Sequence, residues 1–337
     1  MRTPIVGWTI VLVLASSPPA RSLTLEDLVR AYQQKYVKIT TLRYDASLSS
    51  EPVVSEEDLF RYHRRLPALP ETVRVVAHRD GRTFHESSEL WGPLFDPFTK
   101  LLAREFPAVR GNFNAMFELP YDRVRAAVDR AAKEHTEKSL KIVLFDGQKI
   151  WEHRPDEEFA TDGAKRRAFT VVDPARIDRQ FVPGTLLDDM LYGFDIAPFR
   201  RESEHRRRNR VPEVFEGGEF RLREGDESGW VVAEAPGKER IYFDPALQFA
   251  VRKRQWFMDG KVCFEFEGRD YEQLADGIWL PRDAVETAYG TKLSRHPACL
   301  GKPLFHNRFK VERLELNRPE HLALLAADVP AGAWVVD

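Results

Sequence analysis

Hydrophobic and polar residues alternate along many short stretches of this chain, and such a period of two is typical of β-strands. Leu42, Tyr44 and Leu48 mark the first of these stretches. In three later places two apolar runs flank an Asp-Gly pair, at Asp80-Gly81, Asp146-Gly147 and Asp259-Gly260. Asp and Gly tolerate the positive φ of tight hairpin turns. The pattern therefore predicts a meandering, largely antiparallel sheet.

Helical periodicity interrupts the strands. Thr24 is placed to cap a first helix whose opening turn is acidic and which carries one apolar face. Ser55 is placed to cap a second, short helix. Residues 95–106 and 119–134 both show an amphipathic pattern, and residues 186–191 form a further short apolar segment. The sequence thus predicts a sheet accompanied by a few helices.

The N-terminus has the features of a secretory signal. A basic start is followed by an apolar stretch over residues 5–15, a Ser-Pro break, and small residues at Ala20 and Ser22. The apolar stretch is far shorter than the roughly 20 residues that span a bilayer. No Cys follows it, so the lipid anchor of bacterial lipoproteins is not expected. We expect residues 1–22 to be cleaved, and the mature protein to be soluble and periplasmic.

The charge balance and the absence of familiar catalytic motifs exclude several classes of function. The formal net charge is −2, which argues against a nucleic-acid partner. The sequence has no Gly-x-Ser-x-Gly elbow, no His-Glu-x-x-His, no phosphate-binding Gly loop and no Cys-x-x-Cys. Its nine His residues are scattered. We therefore expect that the protein is not an enzyme and that it binds neither a cofactor nor a metal ion.

Two features leave alternatives open. Cys263 and Cys299, the two cysteines, either pair in an oxidising compartment or remain separate thiols. The segment Arg200–Arg210 is strongly basic and has no apolar period. Such a run is either a solvated loop or a patch for anionic head groups or an acidic partner.

Four motifs, in their order along the chain, resemble the LolA family of periplasmic lipoprotein carriers and its relatives, the LppX-type lipid carriers and the lipid-sensing domain of RseB. They are DGQKIW at 146–151, GIWLP at 277–281, the V-x-x-L-x-x-N pattern at 311–317, and P-x-G-x-x-V-x-D at 330–337. The signal, helix and strand at the start of the chain occur in the same order as in the family.

The resemblance implies an α+β fold in which a strongly curved antiparallel sheet, an unclosed half-barrel, has helices over its concave face. It also implies one domain over residues 23–337, with insertions near 95–135 and 155–212. Arg74 would correspond to the basic residue that helps to hold the family's cavity shut.

An unclosed, curved sheet covered by helices leaves apolar space between the two layers. The side chains that we expect to line it come from alternating strand positions: Leu42, Tyr44, Leu48, Phe84, Trp151, Phe243, Trp256, Phe264, Phe266 and Trp279.

The function expected from the resemblance is that of a monomeric, non-catalytic carrier or chaperone that holds the acyl chains of lipids or lipoproteins. Its partners would include an inner- or outer-membrane protein complex. The alternative is a lipid-responsive sensor or adaptor of the envelope, which would bind a protein partner through the Arg200–Arg210 segment.

Overall fold

The computed structural model of the protein describes the chain in thirteen ranges. These are residues 23–36, 38–66, 71–78, 83–89, 91–110, 112–134, 139–145, 150–161, 164–172, 219–223, 229–291, 299–326 and 334–336.

Fourteen strands are described within these ranges. They are β1 (Thr41–Pro52), β2 (Glu71–His78), β3 (Thr83–Glu89), β4 (Ser139–Phe145), β5 (Ile150–Thr161), β6 (Ala164–Val172), β7 (Arg221–Arg223), β8 (Val231–Ala235), β9 (Glu239–Asp244), β10 (Ala250–Met258), β11 (Lys261–Gln273), β12 (Trp279–Tyr289), β13 (Pro303–Leu316) and β14 (Trp334–Val336). The α-helices described are α1 (Leu25–Tyr36), α2 (Glu56–His63), α3 (Trp91–Glu105), α4 (Tyr121–Glu134) and α5 (Glu320–Leu324).

All fourteen strands form one sheet in the order β14-β6-β5-β4-β3-β2-β1-β13-β12-β11-β10-β9-β8-β7. Neighbouring strands are antiparallel except β14 and β6, which are parallel. The first strand pairs with the late strand β13, so the two halves of the chain meet at the middle of the sheet. The sheet does not close, because β7 and β14 are its two edges. The predicted α+β class with an unclosed antiparallel sheet is confirmed.

Register shifts interrupt several of the strand pairs. They occur in β1 between Asp45 and Ala46, in β10 at two places, in β5 after His153 and in β12 after Ala288. A bulge adds a residue to one strand, which bends it and increases the local twist. The sheet therefore curves instead of extending as a flat layer.

Two helix caps and one hairpin turn form where the sequence predicts them. The backbone N–H of Asp27 donates to the Thr24 hydroxyl at 3.1 Å, and that of Asp58 donates to the Ser55 hydroxyl at 3.1 Å. Asp259 and Gly260, with φ of 52° and 73°, join β10 to β11. Both caps and this hairpin are confirmed. The turns after β2 and β4 lie outside the described residues, although the strands they join do pair.

One face of the sheet carries the largest apolar core and is called here the main face. Side chains from β1, β2 and β8–β13 contribute to it, and α1 covers part of it through the fully buried Leu28. Leu25 and Val29, on the same side of α1, pack against this core as well. The expectation that a helix lies over one face of the sheet is confirmed for α1.

Helices α2, α3 and α4 build a second apolar core among themselves. Phe60 of α2, Phe98 of α3 and Val124 of α4 are fully buried in it. The neighbour of Phe60, Leu59, instead packs with Leu304 at the start of β13. Helix α2 therefore connects the group of helices to one end of the sheet.

The opposite face of the sheet has its own smaller core, in which α5 takes part. Leu325, which directly follows α5, packs with Val76, Phe84 and Leu144 from three adjacent strands. Among the helices that the structure describes, none is long and apolar enough to cross a membrane.

Candidate ligand site on the main face

The predicted lining residues divide between the two faces of the sheet. Seven lie on the main face: Leu42, Tyr44, Leu48, Phe243, Trp256, Phe264 and Phe266. Phe84 and Trp151 instead belong to the core beneath α5. Trp279 directly precedes Leu280 of the main core, so it points to the opposite face, because successive side chains of a strand alternate. The ten predicted residues therefore do not all lie on the same face of the sheet.

The seven main-face residues also differ in depth. Leu42, Tyr44, Phe243 and Phe266 are buried in the main core. Interiors of this kind are packed as densely as organic crystals, so these four side chains serve the fold. Leu48, Trp256 and Phe264 are only half-buried, and they mark where the main face approaches solvent.

Two of these half-buried residues, Trp256 and Phe264, belong to a row that crosses four strands. Trp256 of β10 pairs with Phe264 of β11, Phe264 with Ala288 of β12, and Ala288 with Phe305 of β13. We call these four residues the aromatic row. The rings of Trp256 and Phe264 meet edge to face, with centroids 6.3 Å apart. Three interstrand spacings give the row a length of about 14 Å.

A second row, one step deeper on the main face, contains charged groups at two places. Arg254 pairs with Phe266, Phe266 with Glu286, and Glu286 with Asn307. Arg254 and Glu286 are only 1% and 8% exposed. Charges this deep in an apolar face require partners, because desolvation strongly disfavours an isolated ion.

Arg254 finds its partner on the neighbouring strand β9. Its Nε donates to Glu239 Oε1, and both side chains are buried. The guanidinium carbon of Arg254 also lies 4.3 Å from the ring centroid of Trp256, a favourable cation–π distance. At the Trp256 end of the aromatic row, the charge of Arg254 is thus balanced by the buried carboxylate of Glu239.

A chain of hydrogen bonds connects Glu286 to Arg65 through Asn307. Asn307 Nδ2 donates to Glu286 Oε2 at 2.9 Å, and Arg65 Nη2 donates to Asn307 Oδ1 at 3.2 Å and to Ser50 Oγ at 2.9 Å. Burial raises the pKa of Glu286, while the hydrogen bond from Asn307 and the charge of Arg65 oppose that rise. Burial therefore makes the Glu286 carboxyl harder to ionise than a carboxyl in water.

Arg65 comes from the chain just after α2 and stacks on the other end of the aromatic row. Its guanidinium carbon lies 3.5 Å from the ring centroid of Phe305. Its own backbone N–H donates to the carbonyl oxygen of Leu59 at 3.1 Å, which fixes the residue against the end of α2. Each end of the aromatic row thus carries an arginine over an aromatic ring.

Sequence patterns did not identify Arg65, Glu286, Asn307 or Phe305 as site residues. The alternation of Phe305, Asn307 and Phe309 along β13 is the signal that was available for part of the group. Arg65 has no such signal, since it reaches the sheet from a connecting segment.

Arg74, predicted to hold the cavity shut, lies on the opposite face of β2. Its neighbours Val73 and Val75 contribute to the main core. Its guanidinium instead forms ion pairs with Asp45 at 3.5 Å and Glu86 at 3.0 Å on the flanking strands. Alternation along the strand thus turns Arg74 away from the main face, and its role as a latch stays a prediction.

The two cysteines are not joined in the structure. Cys263 lies half-buried on β11, and Cys299 is buried beside Leu59 and Leu304 at the end of the sheet. Burial raises the pKa of the Cys263 thiol. The disulfide that the sequence left open is not formed between these two described residues.

Within the described ranges, no three His, Cys, Asp or Glu side chains converge in a way that would hold a metal ion. The basic segment Arg200–Arg210 and the apolar segment 186–191 lie outside these ranges.

The chain is similar to two solved structures. One is an outer membrane lipoprotein-sorting protein domain from Vibrio parahaemolyticus, with 8% identity, a TM-score of 0.37, and coverage of 88% of this chain and 94% of that one. The other is a LolA superfamily protein from Nitrosomonas europaea, with 7% identity, a TM-score of 0.39, and coverage of 89% and 97%. No protein-family model and no curated protein matches the sequence.

The names of both proteins, a lipoprotein-sorting domain and a LolA superfamily protein, refer to the family that the sequence motifs resemble.

Proposed function

We propose that the protein is an exported, non-catalytic carrier that holds the acyl chains of lipids or lipoproteins against the main face of its sheet. Removal of residues 1–22 would leave one elaborated, monomeric domain in the periplasm. A membrane protein complex would deliver or receive the cargo.

The aromatic row is the observation that carries this proposal. Trp256, Phe264 and Phe305 are large apolar side chains on the main face, and all three are only half-buried. Directly beneath them the main core is closed, as Phe266 and Phe309 show. A hydrocarbon chain along the row would complete their burial, which contributes about 0.8 kcal/mol for each methylene removed from water.

A binding experiment tests the proposal. The protein isolated from an envelope fraction should carry acyl-chain lipids that native mass spectrometry detects. The delipidated protein should bind the neutral fluorescent probe N-phenyl-1-naphthylamine in a saturable manner. A protein that carries no lipid and does not bind the probe would contradict the proposed function.

Two variants localise the binding. Phe264→Ala removes the centre of the aromatic row and should weaken probe binding about tenfold or more, as expected for the loss of a large apolar contact. Phe257→Ala is the matched control, because Phe257 follows Trp256 on β10, points to the opposite face and packs against Arg240. It should leave probe binding unchanged.

A further inference from the structure

We propose that Arg65 binds the anionic head group, a carboxylate or a phosphate, of an amphiphile whose apolar chain lies along the aromatic row. This inference rests on the proposed function and specifies the class of its ligand. It also gives the ligand a direction, with its head at Phe305 and its tail towards Trp256.

The hydrogen bonds of Arg65 leave part of its guanidinium available. A guanidinium has five N–H donors in a planar fork that matches the oxygens of a carboxylate or a phosphate. Within the described part of the chain, Nη2 donates to Ser50 and Asn307, both neutral, and Nε and Nη1 make no hydrogen bond. The same part of the chain provides no ion pair to Arg65.

The electrostatic surroundings of Arg65 favour an added anion. Burial lowers its pKa, which means that the surrounding protein solvates the cation less well than water does. Glu286 opposes that shift through its charge, but Asn307 stands between the two groups. A ligand anion on Nε and Nη1 would supply the direct partner that this half-buried cation lacks.

The arginine at the other end of the row does not have this capacity. Arg254 is 1% exposed and already bound to Glu239. An anionic head group there would have to displace a buried carboxylate, whereas at Arg65 it would displace none. The difference between the two ends determines the direction of the ligand.

The Phe305 end of the row also lies near the surface. Val53, which follows the Phe305 partner Pro52 in β1, is 47% exposed, and Leu300, which precedes β13, is 42% exposed. Leu300 directly follows Cys299, a member of the small cluster against which Phe305 packs, and Val53 directly precedes Val54, which packs against the same cluster. A polar head group is stable at such a position, since it keeps part of its contact with water.

Three probes of equal chain length test the inference: dodecanoate, dodecyl phosphate and methyl dodecanoate. Their affinities are measured at pH 7.5 from displacement of N-phenyl-1-naphthylamine. The wild-type protein should bind at least one of the two anions about tenfold or more tightly than the ester, as expected for a charge-assisted hydrogen bond. Whichever anion is preferred identifies the head group as carboxylate or phosphate.

The substitution Arg65→Gln should remove this preference while the ester still binds. Arg64→Gln is the matched control, because Arg64 is the adjacent arginine but points away from the row. Its Nη1 donates to Oδ1 of Asn114, in the segment between α3 and α4, at 3.0 Å. This control should keep the wild-type ratio between ester and anion affinities. The ratio is the deciding quantity, because a purely structural role of Arg65 would weaken all three probes equally.

The failures of the two proposals differ. If the wild-type protein binds none of the three probes, the proposed function fails. If it binds all three with equal affinity, or if Arg65→Gln leaves the ratio unchanged, the carrier function stands and the head-group role of Arg65 is overturned.

Discussion

The guanidinium of Arg254 lies over the indole ring of Trp256, two residues further along β10, with 4.3 Å between the guanidinium carbon and the ring centroid. A single strand thus supplies both an aromatic ring of the row and the cation that stacks on it. The cation in turn depends on Glu239 of the neighbouring strand. The stability of the main face and the shape of the aromatic row are therefore linked through this ion pair.

Glu239→Gln should destabilise the protein, because it leaves the buried Arg254 without its counter-charge. Removing one partner of a buried ion pair costs about 3–5 kcal/mol. The free energy of unfolding in urea measures the effect. Glu234→Gln, which breaks the more exposed pair with Arg240 on the adjacent strands, is the control and should cost less than about 1 kcal/mol. Equal losses in the two variants would contradict the assignment.

Glu286→Gln should tighten the binding of dodecanoate. The substitution removes a negative charge that attracts Arg65 and repels a bound carboxylate, and Asn307 bridges Glu286 and Arg65 by hydrogen bonds to both. Methyl dodecanoate should bind with unchanged affinity. Since burial raises the pKa of Glu286, the wild-type carboxyl gains its charge only as the pH rises through that raised value. The advantage of the variant should therefore grow with pH. Probe displacement at several pH values checks this trend, and weaker dodecanoate binding by the variant would refute it.

The stability of the protein should fall in mild acid because of His321, the second residue of α5. His321 is 0% exposed; its Nδ1 lies 3.0 Å from the Thr41 hydroxyl and its Nε2 lies 3.5 Å from Glu315. Burial lowers its pKa below the ordinary value of 6.5, against the opposing influence of Glu315 and Glu320.

The sign of this pH dependence follows from proton linkage. Below pH 6.5 the unfolded chain protonates His321 while the folded protein resists, so stability decreases until the pH reaches the lowered pKa of the folded state. His321→Gln should flatten the dependence of the urea midpoint on pH in that window. A wild-type midpoint that is constant from pH 8 down through this window would exclude the effect.

Both cysteines should react as thiols once the chain is unfolded without reductant, because no disulfide joins Cys263 to Cys299 in the structure. In the folded protein both should react slowly, Cys299 because it is buried and Cys263 because its pKa is raised. A thiol count with a chromogenic reagent before and after unfolding measures both quantities. A count of zero after unfolding would show that the two residues are paired in the isolated protein.

The parts of the fold that sequence reasoning predicted are those controlled by local chemistry. Thr24 and Ser55 cap the helices they precede, and Asp259-Gly260 turns a hairpin, because each depends on residues within a few positions. Alternation also placed Leu42, Tyr44 and Leu48 of β1 together on one face of the sheet.

Alternation within a strand does not show which of its side chains share a face of the sheet with the side chains of the next strand. That choice depends on the register and on bulges, so Phe84 and Trp151 were grouped with Tyr44 although they lie on the other face. The site itself depends on still longer separations. Arg65 meets Asn307 across 242 positions of sequence, and only the assembled sheet brings those two residues together.

The short outermost strands have a consequence for the behaviour of the protein in solution. An unclosed sheet exposes backbone donors and acceptors along its rims, where another molecule can add a strand and begin aggregation. At one rim, β7 is three residues long and carries exposed Arg221 and Arg223; at the other, β14 is equally short. Short or positively charged edge strands discourage edge-to-edge pairing between molecules, so we expect the unclosed sheet to stay free of such pairing at high concentration.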